Sequence, residues 1–195
     1  STIGVRPVIN AAGKMTALGG TAQAKAVAQA QAAAAQRHVD LAELRATAGR
    51  TIAKLTGAEA ASVTNGAASG IAIAVAAVLT GTDLERIRRI PETDGRPNDV
   101  LVQAGHDVNF GAEICQMVRL GGGNPVVFGT SEQVTQNDLK DALSDRTVLA
   151  LYVQSHHCIQ ENRLPLDAFV DLNVPTLVDA AAEEDLERWI AGGAD

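Results

Sequence analysis

The sequence contains few aromatic residues, few cysteines and no long apolar run. Its 195 residues include one Trp, one Tyr and three Phe. The two cysteines are too few for a disulfide framework, so we expect free thiols and a cytoplasmic location. The N-terminal residues do not have the pattern of a signal peptide. The most apolar stretch, residues 70–80, is about half the roughly 20 residues that a membrane span needs, which argues against a membrane partner.

Positive charge is also scarce. The chain has 16 Lys and Arg residues against 23 Asp and Glu residues, a formal net charge of −7. A protein that binds nucleic acid through its phosphates needs Lys and Arg to neutralise them, so the composition argues against a nucleic-acid partner. Small residues are abundant instead, with 35 Ala and 18 Gly. With 46% hydrophobic residues, the composition also excludes a disordered chain.

The first 56 residues are predicted to contain two helices. Residues 21–37 are rich in Ala, the best helix former, and Thr21 can cap their start. Asp40 is a suitable N-cap for a second helix over 41–55, in which apolar residues recur every three or four positions. Gly57 is then expected to end that helix.

After residue 57 the sequence alternates between short apolar segments and helical segments. The predicted strands are 60–64, 99–103, 125–128, 147–153 and 175–179; the predicted helices are 67–80, 111–120, 137–143 and a polar turn of helix at 183–188. Near-continuous apolar strands that alternate with helices are typical of a parallel sheet covered on both faces. We therefore expect an α/β fold, with an N-terminal segment and helices over 1–56 and the sheet domain over 57–195.

Ligands of open parallel sheets bind beyond the carboxyl ends of the strands. The small residues 65–70 follow a predicted strand and begin a helix, where free backbone N–H groups suit a phosphate. Small residues also occur where a helix packs tightly on a sheet, and the sequence leaves both interpretations open. The segment is neither a Walker loop nor a GxGxxG motif, which disfavours a nucleoside triphosphate or a dinucleotide.

Two titratable side chains follow other predicted strands. Asp179 precedes three Ala residues; it is either a turn residue or the partner of a protonated cofactor nitrogen, as in pyridoxal-phosphate enzymes. His106 is either a hydrogen-bonded loop residue or a flat ring that stacks on a cofactor. His156 and His157 are adjacent and point in different directions, which disfavours a metal site.

Five segments carry a resemblance to a known family. They are RPVINAAGKMTALGG (6–20), VDLAELRATAGRTIAKLTGAEAASVTNGAASGIAIA (39–74), QAGHDVNFGAEICQMVRLGG (103–122), LYVQSHHCIQENRLPL (151–166) and LVDAAAEEDL (177–186). In their order and spacing they resemble fold-type-I pyridoxal-phosphate enzymes, and among these the selenocysteine-synthase-like group that includes the D-glucosaminate-6-phosphate ammonia-lyases. The resemblance implies the fold-type-I large domain, incomplete at its C-terminus, with residues 57–195 as the first part of the cofactor-binding domain.

The resemblance also implies roles for particular residues. It implies that His106 stacks on the pyridine ring of pyridoxal 5'-phosphate and that Asp179 pairs with the ring nitrogen. Ser155 or His156 is expected near the cofactor's phenolic oxygen or the substrate, and Lys14 near an anionic group of the substrate. The phosphate cradle is expected to consist of Asn65, Gly66, Ala67 and Ala68.

The activity implied is a lyase reaction. An α,β-elimination on a hydroxylated, optionally phosphorylated, amino acid would give a 2-keto acid and ammonia. The family's Schiff-base lysine lies a little beyond the segment that corresponds to residues 193–195, so we expect it outside this sequence. The site would then be completed by the rest of a longer protein or by a second chain, in a homodimer or higher oligomer.

Three alternatives are compatible with the sequence: a non-catalytic or split-enzyme subunit, a selenocysteine-synthase-like transferase, and an amino-acid racemase. The acidic charge argues against the transferase, whose substrate is a tRNA.

Overall fold

The computed structural model describes residues 4–195, and their contacts divide the chain into two units, Ser1–Leu44 and Arg45–Asp195. In the first unit, Met15 and Gly20 form an antiparallel bridge around a short 3-10 turn, Thr16–Leu18. Helix α1, Lys25–Ala34, follows, and none of its residues is buried. The predicted boundaries of α1, residues 21–37, were wrong because Ala favours helix throughout and does not mark where one begins or ends.

Helix α2, Leu41–Thr56, crosses the boundary between the two units. The carboxylate of Asp40 accepts hydrogen bonds from the N–H groups of Ala42 (2.8 Å) and Glu43 (2.9 Å), as predicted for an N-cap. Gly57 follows with a φ of +73°, a conformation that glycine adopts without strain.

The second unit contains the sheet and most of the helices. Its further elements are α3 (Ala67–Thr80), α4 (Leu84–Arg89), β1 (Asp99–Gln103), α5 (Ile114–Leu120), β2 (Asn124–Phe128), α6 (Gln136–Ala142), β3 (Thr147–Val153), α7 (Asp167–Val170), β4 (Thr176–Asp179) and α8 (Glu187–Ala191). The four strands are all parallel, in the order β2-β1-β3-β4. The predicted α/β class and parallel sheet are therefore confirmed.

Side chains alternate between the two faces of this sheet. Along β3, Leu149, Leu151 and Val153 pack with α3 and α5, whereas Ala150 and Tyr152 pack with α6 and α7. The strand is buried from Leu149 to Val153 because helices cover both faces, which explains its almost continuous apolar sequence. Neither α2, at 16 residues, nor any other helix within residues 4–195 is long and apolar enough to cross a bilayer.

The prediction of a strand at residues 60–64 was wrong. The segment pairs with no strand among residues 4–195; instead, it runs close to α2. A Cβ at Gly49, in α2, would lie only 2.5 Å from the carbonyl oxygen of Ala61. A β-branched sequence indicates an extended chain, but it does not show whether a neighbouring strand is available.

Two other predicted helices are displaced, for local reasons. Helix α5 begins at Ile114 rather than at residue 111 because the Asp107 carboxylate accepts a hydrogen bond from the Cys115 N–H (2.8 Å). The polar helix predicted at 183–188 is observed as α8, from Glu187. There Asp185 accepts a hydrogen bond from the Arg188 N–H (3.1 Å).

Candidate functional site

Helix α3 begins at a turn that leaves its backbone donors open. Gly66 holds the N-cap position with φ +116° and ψ 175°, and no side chain caps the helix. The hydroxyls of Thr64 and Ser69 donate instead to the Gly66 carbonyl, at 3.0 and 2.9 Å. The first N–H groups of a helix have no intrahelical acceptor, and here residues 65–68 are exposed. These donors and the helix dipole suit a phosphate or another anion.

This end of α3 lies at the carboxyl edge of the sheet. A Cβ at Gly123, next to the start of β2, would lie 2.9 Å from side-chain atoms of both Val75 and Val100. The C-terminal half of α3 therefore covers the beginnings of the strands, and its N-terminus points toward their ends. The predicted phosphate cradle and the ends of β3 and β4 consequently share one edge.

Asp179 is the last residue of β4 and is partly buried. It lies opposite Val153 of β3, and its carbonyl accepts a hydrogen bond from the Gln154 N–H (2.9 Å). Its carboxylate accepts one from the Ala181 N–H (3.1 Å), and no Lys or Arg among residues 4–195 forms an ion pair with it. Burial raises the pKa of this carboxyl group, against a smaller opposite effect of the Ala181 N–H. A cation beside Asp179 would therefore stabilise its charged form.

Ser155 and His156 follow β3 at the same edge. Ser155 is 3% exposed, and its hydroxyl oxygen accepts a hydrogen bond from the His157 N–H (3.2 Å). His156 is exposed, with its ring centroid 4.0 Å from that of His157, which in turn contacts Phe110 edge-on. Residues 4–195 contain no group of three or more His, Cys, Asp or Glu side chains that could hold a metal ion.

His106 is fully buried at the end of β1. Its Nδ1 accepts a hydrogen bond from the Val153 N–H (3.0 Å), and its ring packs edge-on against Tyr152, 4.8 Å between centroids. Burial and, to a lesser extent, the charge of Arg163 lower the pKa of His106 to about 4, so the ring is neutral at pH 7. No face of the ring is open to a cofactor in this arrangement. The stacking role stays a prediction, and the observed contacts give the ring a structural role.

Gln103, the last residue of β1, lies beside His106 and had no role predicted for it. Its amide oxygen accepts from the Leu164 N–H (3.0 Å), and its Nε2 donates to the Leu164 carbonyl (3.1 Å). Gln103 Nε2 also lies 3.2 Å from His106 Nε2. Because Nδ1 accepts from the Val153 N–H, the single proton of the neutral ring is on Nε2, and protonation of Nδ1 would break that hydrogen bond. The only signal in the sequence was a polar residue at the end of an apolar strand.

Arg163 is a second residue that sequence reasoning missed. Its guanidinium donates to the carbonyls of Ser131 (2.8 Å) and Asn162 (3.0 Å). A Cβ at Gly105 would lie 2.9 Å from Arg163 Nε, and the φ of Gly105 is +91°, so this turn after β1 needs glycine. The arginine therefore packs against the turn after β1 and is held there by hydrogen bonds to backbone carbonyls. No motif in the sequence indicates this placement.

Lys14, predicted to bind an anionic substrate group, lies in the first unit. It is exposed in the turn-rich segment before the Met15–Gly20 bridge. Its predicted role is not tested by this position.

No protein-family model matches the chain. The chain is, however, 44% identical over 197 residues to D-glucosaminate-6-phosphate ammonia lyase of Salmonella typhimurium (strain 14028s / SGSC 2262), a match over 99% of this chain and 53% of that protein. A solved structure of D-glucosaminate-6-phosphate ammonia-lyase superposes on the whole chain with a TM-score of 0.95 and 43% identity, and the match covers 54% of that structure.

The chain is therefore similar to D-glucosaminate-6-phosphate ammonia-lyases over nearly its whole length. The superposition confirms the predicted fold and the family resemblance. A further relative is the 5'-C-glycyluridine monooxygenase-decarboxylase of a Streptomyces species, 40% identical over 199 residues, or 99% of this chain and 50% of that protein. The chain thus spans about half the length of the curated relatives that it matches.

Proposed function

We propose that the chain forms the phosphate-binding and ring-nitrogen-binding parts of a pyridoxal 5'-phosphate site in an ammonia-lyase. The observation that carries the proposal is the 44% identity with D-glucosaminate-6-phosphate ammonia lyase over 99% of the chain. The proposed reaction is an α,β-elimination on a hydroxylated, phosphorylated amino acid, which yields ammonia and a 2-keto acid. Residues 57–195 would belong to the cofactor-binding domain, and the working enzyme would be a homo-oligomer or include a second chain.

The start of α3 fits the cofactor's phosphate. In the proposed site, Asn65, Gly66, Ala67 and Ala68 surround the phosphate with backbone N–H groups at the positive end of the helix. A Cβ at Gly66 would meet no atom within 4 Å, so the space in front of this backbone is open. The Thr64 and Ser69 hydroxyls hold the turn in place through the Gly66 carbonyl.

Asp179 fits the protonated ring nitrogen. It combines partial burial, a raised pKa and the absence of an ion-pair partner within residues 4–195. A pyridinium N–H⁺ would supply the missing cation and keep the carboxylate charged. When bound, pyridoxal phosphate supplies an electron sink for the charge that develops at the substrate's α-carbon. The task of Asp179 is to keep the proton on the ring nitrogen.

The other predicted site residues would support this arrangement. Ser155 and His156 follow Val153, the residue paired with Asp179, and are proposed to lie near the phenolic oxygen or the substrate. Lys14 is proposed to contact an anionic group of the substrate. His106 is proposed to support the site indirectly, because its hydrogen bond with the Val153 N–H holds the end of β3 in place.

The cofactor site can be tested with pyridoxamine 5'-phosphate, which has the phosphate and the ring nitrogen but no aldehyde that surface lysines could capture. Equilibrium dialysis should show binding to the chain and a loss of roughly tenfold or more in affinity for Asp179→Ala, as expected for a charge-assisted hydrogen bond. Pyridoxamine without phosphate should bind much more weakly. The matched control, Asp171→Ala, changes an exposed carboxylate elsewhere in the second unit.

Equal affinity of the Asp179→Ala variant and the original chain would contradict the ring-nitrogen role. Equal binding of the phosphorylated and unphosphorylated probes would contradict the phosphate cradle.

The monooxygenase-decarboxylase relative, at 40% identity, provides a second candidate reaction. The two can be separated by giving the protein purified from its native cells D-glucosaminate 6-phosphate and measuring ammonia, 2-keto acid and carbon dioxide. Ammonia and 2-keto acid in equal amounts would support the lyase. Carbon dioxide, or no product, would argue against it.

A further inference from the structure

A cavity of about 290 Å³ lies on the sheet face opposite to α3. Tyr152, which packs on the α6–α7 side of the sheet, forms part of its wall. The rest of the wall comes from Gln154 after β3, from the start of α7 and from Arg188 and Trp189 of α8. Because side chains alternate along β4, Asp179 lies on the α3 side with Leu177, whereas Val178 lies on the cavity side. The cavity is therefore separate from the proposed cofactor site, and the proposal for its ligand does not depend on the proposed function.

The polar groups of this wall are mostly hydrogen-bond donors. The Tyr152 hydroxyl, the Gln154 amide and the Arg188 guanidinium make no hydrogen bond or ion pair with any group in residues 4–195. The guanidinium lies over the Trp189 ring, 4.7 Å from its centroid. Three donor-bearing side chains, one of them cationic, therefore surround one cavity without protein acceptors.

Trp189, another residue of this wall, has a donor without an acceptor. Its side chain is 7% exposed, and its indole Nε1 is buried without a hydrogen-bond partner in the described part of the chain. Buried N–H groups without partners are rare in folded proteins. Arg163 Nε is the other buried side-chain polar atom without a partner among residues 4–195, and it does not line this cavity.

We propose that this cavity binds a small metabolite through a carboxylate or phosphate group. Oxyanions supply the acceptors that Tyr152, Gln154 and Arg188 lack, and guanidinium binds them through paired N–H donors. The volume is at the lower end for ligand sites, which limits the ligand to a molecule of a few carbons. The one acidic residue of the wall, Asp167, favours a ligand that also has a hydroxyl or ammonium donor.

The single tryptophan makes this proposal directly testable. Because Trp189 is the only Trp in the chain, the indole N–H gives one cross-peak in a ¹⁵N-labelled sample. Titrations with inorganic phosphate and with D-glycerate, against sodium chloride at matched ionic strength, should show a saturable shift of this peak for at least one of the two probes. The two arms distinguish a phosphate site from a carboxylate site.

Arg188→Gln should lower the affinity for the probe that saturates by roughly tenfold or more, because a charge-assisted contact is lost. The matched control is Arg119→Gln, an exposed arginine of α5 on the other face, which should leave the affinity unchanged. A spectrum that otherwise retains its dispersion verifies that both variants are folded. Shifts that chloride reproduces, shifts that do not saturate, or equal affinity in Arg188→Gln would overturn the proposal.

Discussion

The ends of β1 and β4 lie at the same edge of one sheet, yet their titratable side chains are in opposite situations. At the end of β1, His106 is fully buried, contacts Tyr152 and receives a backbone N–H from β3. At the end of β4, Asp179 is partly buried, with one backbone donor and no cation beside it among residues 4–195. His106 is enclosed by contacts within the chain, whereas Asp179 has no positive charge beside it among residues 4–195.

This difference separates residues that support the site from residues that would contact a ligand. A buried group whose hydrogen bonds are all internal contributes to stability, and its loss leaves unsatisfied partners. A partly buried carboxylate without a counter-charge has the opposite property: it costs free energy of folding until a cation arrives. The contrast predicts that substitutions at the β1 end mainly reduce stability, whereas those at the β4 end mainly reduce binding.

The largest effect is expected for Gln103→Ala. The substitution leaves the N–H and the carbonyl of Leu164 without partners in a buried setting, so the free energy of unfolding should fall by about 3 kcal/mol. Urea denaturation measures the change, with Gln116→Ala, an exposed glutamine of α5, as control. A change below about 1 kcal/mol would show that the β1 end is not what holds this edge together.

Acid should destabilise the fold through His106. The pKa of His106 is lowered to about 4 from an ordinary value of 6.5, so the unfolded chain binds this proton more readily than the folded one. Stability from this group is therefore complete above pH 6.5 and is lost as the pH falls toward 4, by up to about 3 kcal/mol.

Asp179 has the opposite effect on stability. Because its pKa is raised in the folded state, the folded chain takes up this proton more readily than the unfolded chain, and acid stabilises the fold through this group. The effect of His106 is isolated by His106→Asn, which keeps an acceptor for Val153 but does not titrate. Unfolding free energies at pH 7 and pH 4.5 should differ less in this variant than in the original chain. An identical pH dependence would assign the acid sensitivity to other groups.

The smallest predicted effect is at the start of α3. Gly66→Ala should lower the free energy of unfolding by about 2 kcal/mol, because φ +116° with ψ 175° is a conformation that only glycine adopts easily. The matched control is Gly70→Ala, inside α3, where the new Cβ would lie 3.5 Å from Thr64 Oγ1. There we expect no loss or a small gain, since Ala favours helix over Gly. Equal losses in both variants would indicate a tightly packed helix start rather than an open one.

Elements of the fold could be predicted from the sequence where neighbouring residues determine them. The bounds of α3, β1 and β3 were predicted to the residue, because each is a compact apolar segment with polar or glycine neighbours. The N-cap at Asp40 is equally local, since its partners are two and three residues away. The false strand at 60–64 failed because strand formation depends on a neighbour that the segment itself does not specify.

The candidate site follows the same rule. The open turn before α3 and the acid at the end of β4 could be inferred from residue types and their positions after strands. The bonds of Gln103 to Leu164 and of His106 to Val153 join residues 61 and 47 positions apart, and no local pattern contains that information. The burial of His106 was missed for this reason, and the residues alone left a hydrogen-bonded loop residue and a ring stacked on a cofactor as alternatives for it.

The bonds between Gln103 and Leu164 also have a consequence for the order of assembly. While the chain is being synthesised, Gln103 at the end of β1 is made 61 residues before Leu164, its hydrogen-bond partner. Gln103 has no such partner until Leu164 is made, and His106 has none until Val153 is made 47 residues after it. Long-range contacts of this kind form late because a large loop must close first. The edge that would bind the ligand is therefore among the last parts of the sheet to become fixed, and an incomplete nascent chain cannot present it.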